Sequence, residues 1–129
     1  MNISKKMYTR KNFLLSLLTL ITLPGSLFAN KSSVELDIPK SAKKGSIIQI
    51  KVKVIHKGNS FFHYSNWVYI KINGETLKKW EFTAWKRPGS EVFTRELVYT
   101  VAGPTNVSAK AHCNLHGSIG EKSKKIKVY

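Results

Sequence analysis

The chain has 129 residues, with 22 basic and seven acidic side chains, four histidines and one cysteine, and a formal net charge of +15. A single cysteine excludes an internal disulfide framework, and a chain this short supports one two-layer core and not two domains of full size. The lysines alternate along strand-like segments instead of clustering with aromatic residues, so the charge describes a solvated surface and argues against a nucleic-acid partner.

Residues 1–29 read as a signal peptide. Lys5, Lys6, Arg10 and Lys11 precede an apolar run over residues 13–23, with no acid among them, and Pro24, Gly25 and the small residue Ala29 follow. The apolar run is too short to span a bilayer as a helix. The mature domain is therefore expected over residues 30–129, in the periplasm, free of the membrane and with a net charge of +11. Thr9-Arg10-Lys11-Asn12-Phe13-Leu14 is similar to the twin-arginine export motif with lysine in place of the second arginine, which leaves both that route and ordinary Sec export open.

A first strand is expected over residues 33–38, followed by a polar turn at residues 39–45. Ile48, Ile50, Val52 and Val54 alternate with Gln49, Lys51 and Lys53, a period of two that specifies a half-buried strand and carries His56 in register to its inward-facing end. Residues 66–72 form the next strand, closed by Asn73-Gly74, the pair that best accepts the positive φ of a hairpin turn, and residues 76–85 return antiparallel to it. Residues 91–101 place Phe93, Leu97, Tyr99 and Val101 on one face, interrupted by Arg95. Val107, Ala109, Ala111 and Cys113 share the inner face of the following strand, which puts His112 on the outer face. With residues 124–129 this makes seven short strands and an all-β fold, an antiparallel immunoglobulin-like sandwich. The three tryptophans, Trp67, Trp80 and Trp85, are expected in core and interface packing.

Strands that run alternately up and down bring His56, at the end of the second, His63, before the third, and Cys113 with His116, after the sixth, to one pole of the sandwich. A thiolate and an imidazole at the Cys-x-x-His spacing can close on one metal ion. Other readings of the lone cysteine are an inert core residue, a reactive thiol on a non-catalytic binding or carrier module, and a ligand in a cupredoxin-like copper electron carrier. The copper reading lacks its usual axial methionine, because the methionines are Met1 and Met7.

Cys113-Asn114-Leu115-His116-Gly117 agrees with the C-N-x-H-G motif of desulfoferrodoxin and neelaredoxin, the superoxide reductases, and His63-Tyr64-Ser65-Asn66-Trp67-Val68 is similar to their H-[HY]-I-x-W-I. The resemblance runs from about residue 48 to residue 117. It implies a mononuclear non-haem iron on an immunoglobulin-like sandwich, with Cys113 as the axial thiolate and catalytic residue, and His56, His63 and His116 as three of four equatorial imidazoles. It also implies superoxide as the substrate and an external electron-donor protein, since the chain has no second redox centre. The family's fourth histidine lies in an upstream E-K-H-x-P segment that has no counterpart here. Lys31 is the lysine closest to that segment's place. His56 and His63 stand one residue further apart than the family pattern, and Lys57 replaces its proline. An exchangeable water is expected in the position left by the fourth histidine, and Asn114 together with backbone amides is expected to hydrogen-bond the sulfur.

Overall fold

A computed structural model describes residues 30–129, so the leader at residues 1–29 lies outside the described residues. Eight strands follow in order: β1 (Ser33–Asp37), β2 (Ser41–Ala42), β3 (Ile47–Ile55), β4 (Ser65–Ile72), β5 (Glu75–Glu81), β6 (Val92–Thr100), β7 (Thr105–Cys113) and β8 (Lys122–Val128). They form two facing sheets, one of three strands in the order β1-β3-β6 and one of five in the order β2-β8-β7-β4-β5. All pairings are antiparallel except β2 with β8. The all-β sandwich expected from the alternation is the fold of the described residues.

The core sits between the inner faces. The three-stranded sheet contributes Val34, Leu36, Ile50, Val52, Val54 and Phe93, and the five-stranded sheet Val68, Ile70, Val107, Ala109, Ala111 and Ile126, all buried. Each fully buried Val or Ile contributes on the order of 1.5–3 kcal/mol by leaving water. Arg95 does not break its face. Its guanidinium lies over the rings of Phe82 and Phe93, 5.2 and 5.0 Å from their centroids, so the aliphatic stem packs while the charge meets aromatic faces.

Three differences from the sequence reading have local causes. Residues 39–45 are not only a turn: Ser41–Ala42 adds a parallel edge strand beside β8, held by Lys127 N–H donating to Lys40 O and Tyr129 N–H to Ala42 O. Two residues are too few for alternation to register. β5 ends at Glu81, four residues early, because Thr83 and Lys86 exchange backbone hydrogen bonds and turn the chain. Finally, the ladder between β4 and β7 shifts register between Ser65 and Trp67. This bulge places Ser65 inward and fully buried, opposite Cys113, while Trp67 lies on the outer face opposite His112. Of the three tryptophans, Trp80 packs against the core, Trp67 stacks on the outer face, and Trp85 is exposed.

Candidate metal centre

Four segments meet at the end of the sandwich where β3, β5 and β7 finish and β1, β4, β6 and β8 begin. The alternation of β3 continues past its last paired residue, so His56 is carried inward and is 2% exposed. Its backbone N–H donates to Glu91 O, which ties it to the start of β6. β7 delivers Cys113 to the same interior, fully buried. The chain then reverses in a tight loop in which Cys113 and Gly117 exchange backbone hydrogen bonds of 2.8 and 2.9 Å. Gly117 has φ 78°, a conformation that side chains disfavour, and this turn swings His116 back over Cys113.

His63 comes from the loop that crosses between the sheets. Ser60 and His63 close a turn through reciprocal backbone bonds, and Gly58 packs directly on the ring, so closely that a Cβ there would fall 2.5 Å from His63 Nδ1. Contact with Gly58 aims the other nitrogen, Nε2, at the centre. The two ligand-bearing loops are strapped together by Asn114. Its Oδ1 accepts from Tyr64 N–H at 3.0 Å, its Nδ2 donates to Phe62 O at 3.1 Å, and its own N–H donates to Tyr64 O. The Asn114 amide nitrogen is thus spent on the loop and not on the sulfur. What the sulfur receives is the backbone N–H of His116, at 3.4 Å.

The resulting geometry is close. His56 Nε2 lies 3.2 Å from His63 Nε2, and His63 Nε2 lies 3.2 Å from His116 Nδ1. Neighbouring rings stand nearly perpendicular, at 87° and 84°. Cys113 Sγ is 3.8 Å from His116 Nδ1, and the donor atoms of His56, His63 and Cys113 all lie within 4.8 Å of one another. All four residues singled out in the sequence are therefore brought together. His112 is not among them: it stacks on Trp67 at 4.9 Å and 7°, and its Nδ1 meets Asn66 Oδ1 at 2.7 Å.

The electrostatics favour the neutral form of His56. Burial pushes the pKa of His56 down, and a charge on His63 would push it down further. Burial also lowers His112, with Lys110 adding to the effect. Imidazole nitrogens aimed at one another make a poor hydrogen-bond network and a good ligand set. His56 Nδ1 is buried and reaches no well-formed partner, although the Gly58 backbone lies near it. That nitrogen is where the ring proton belongs when Nε2 donates to a cation. Three imidazole nitrogens and a thiol fit Fe(II), for which neutral imidazole and thiolate are suitable donors.

The desulfoferrodoxin family model matches residues 28–121. The chain belongs to the desulfoferrodoxin family. Among solved structures it is similar to superoxide reductase (neelaredoxin) from Ignicoccus hospitalis, at 23% identity over 77% of this chain and 82% of that one, with a TM-score of 0.63. It is also similar to the reduced form of superoxide reductase (neelaredoxin) from Archaeoglobus fulgidus, at 16% identity over 77% and 90%, TM-score 0.51. The sulfur carrier protein SoxY from Chlorobium limicola shares the fold at 11% identity over 74% and 78%, TM-score 0.55. No curated protein matches the chain significantly. At these identities the structural likeness speaks for the sandwich, and family membership rests on the matched residues.

Proposed function

We propose that this protein is an exported superoxide-reductase-like iron protein that holds one iron through His56, His63, His116 and Cys113. The observation that carries this reading is the run of three imidazole nitrogens at 3.2 Å steps beside a buried cysteine sulfur, in a chain of the desulfoferrodoxin family. Bound iron would supply a one-electron couple and an anion-binding position. One superoxide, one electron and two protons give one hydrogen peroxide, and the electron is returned to the site by an external donor.

The chain's own residues provide the surroundings. Cys113, hydrogen-bonded by His116 N–H, places a basic sulfur on the protein-interior side, where water does not reach it. His63 and His116 are only partly buried, so the opposite side opens to solvent and to a small anion. The positive field raises the rate at which superoxide arrives. Without the E-K-H-x-P segment, anion stabilisation and protonation are weaker than in a site that has it, and Lys31, the residue after Asn30, is the basic side chain nearest in sequence to that role. A carrier function for Cys113 is disfavoured by its complete burial, since a carrier thiol must be reached by its cargo.

The test is reconstitution with ferrous iron, a visible spectrum in both redox states, and mixing of the reduced protein with pulse-generated superoxide. One iron per chain, a thiolate-to-ferric charge-transfer band, and oxidation by superoxide that slows as ionic strength rises are expected. Intense copper-thiolate absorption with no iron uptake, or iron that superoxide does not oxidise, would overturn the assignment.

A further inference from the structure

We propose that the main-chain carbonyl oxygen of Asn30 takes the equatorial position for which this chain has no histidine. The proposal deepens the iron-site reading above and rests on it. Asn30 O lies 3.2 Å from His56 Nε2, the same spacing that separates His56 Nε2 from His63 Nε2 and His63 Nε2 from His116 Nδ1. Four donor atoms thus follow one another at three equal steps. Neighbouring ligands bonded to one metal at ~2.0–2.2 Å and near a right angle stand about 3 Å apart, so each of the three steps has the spacing of adjacent ligands.

Hydrogen bonding alone serves this arrangement badly. His56 Nε2 carries either a hydrogen or a lone pair, and it faces two neighbours at 3.2 Å. If it donates to Asn30 O, it has no lone pair left for His63. If it gives its lone pair to a metal, it has no hydrogen left for Asn30, and two acceptors stand face to face. A cation bound by both removes the conflict, with the ring proton on the buried, unpartnered His56 Nδ1.

The carbonyl is also held in place from its C-terminal side. Ser32 is fully buried, its N–H donates to Gly117 O at 3.3 Å, and its carbonyl accepts from Ile119 N–H at 2.9 Å. Its hydroxyl pairs with that of Ser65 at 2.7 Å, and Ser65 faces Cys113 across the ladder. Residues 30–32 are therefore pinned to the same loop that carries His116. With the carbonyl as a ligand, the chain would offer five donors to the iron, Asn30 O, three imidazole nitrogens and the Cys113 sulfur, and would leave one position fewer to exchangeable water.

The closing experiment labels the chain with asparagine carrying ¹³C at the main-chain carbonyl and examines the ferric, iron-loaded protein by ¹³C electron–nuclear double resonance. A strong ¹³C coupling is expected that disappears in Asn30→Gln, a change that removes the label from position 30 and keeps the carbonyl, while iron content and visible spectrum stay the same. In water enriched in ¹⁷O, no more than one coupled water is expected. Iron bound with its thiolate band present but with no coupling lost in Asn30→Gln, or with two coupled waters, overturns the carbonyl ligand and leaves the iron-site reading standing. A protein that binds no iron overturns both.

Discussion

The two ends of the sandwich finish their backbones in opposite ways. At the hairpin end, Asn73 adopts φ 50°, donates its own N–H to Asn106 O, accepts from Asn106 N–H through Oδ1 at 2.8 Å, and donates Nδ2 to Pro104 O at 3.1 Å. One side chain closes two turns, and its polar atoms are paired within the chain. A surface depression of about 380 Å³ lies beside it, lined by Ile72, Asn73, Glu75, Thr76, Leu77 and Tyr99, with no sulfur or imidazole among them. At the ligand end, Asn114 likewise ties two loops, but the imidazoles it helps to position face one another without satisfying one another. Concavity marks one end and unsatisfied donor chemistry the other. It is the second that indicates function.

On this contrast, changes at the two ends must separate metal binding from stability. The largest effect is expected from Cys113→Ser, which replaces the sulfur by a harder, less basic oxygen: the thiolate band should vanish, and superoxide oxidation of the iron should slow by more than about 100-fold, beyond what loss of a residue supporting the ligands does. Next, His116→Gln should weaken iron binding by about 100-fold, measured by competition with a chelator. His112→Gln should leave the iron content unchanged and cost stability by about 0.5–1.5 kcal/mol through the lost stack on Trp67. Equal damage from both would mean that the ligand set is misassigned.

Gly58→Ala tests positioning at the same end. The added methyl would overlap the His63 ring, so iron affinity is expected to fall by about tenfold with the fold intact by circular dichroism. At the hairpin end, Asn73→Ala removes two side-chain hydrogen bonds and places alanine at positive φ. It should cost about 1–3 kcal/mol in denaturant unfolding and leave the iron spectrum unaltered.

The smallest effect concerns Tyr69, whose hydroxyl donates to Glu121 at 2.5 Å and whose pKa is pushed up to about 12, by burial first and then by that carboxylate. A raised tyrosine pKa favours the protonated folded form. Its contribution is complete below the ordinary value near 10 and is lost as pH climbs toward 12. Tyrosinate absorbance should show one tyrosine ionising late, and Glu121→Gln should bring it earlier.

Much of this was legible in the residues. Alternation alone carried His56 and Cys113 inward, and the Cys-x-x-His spacing with its glycine placed His116. The Asn30 carbonyl was not legible, because every residue has one and only the folded chain shows which lies beside a ring nitrogen. The direction of the Asn114 amide was equally hidden, since the same side chain suits a bond to sulfur or to a neighbouring loop. The inward turn of Ser65 was hidden for a further reason: an irregularity in the ladder changes which face a residue occupies, and a period of two cannot report its own interruption.

That irregularity, the register shift between Ser65 and Trp67, acts as a change of phase along β4. Downstream of it, Val68, Ile70 and Ile72 keep the beat of the core, and upstream of it Ser65 turns inward where strict alternation from Val68 would turn it outward. The chain that leads to His63 enters the strand in the other phase. Were Asn66 forced into a regular ladder and the bulge lost, Ser65 would turn outward and the approach to His63 would rotate by half a turn, although no ligand had been touched. A transplant of this centre into another sandwich would have to carry the bulge along with the histidines.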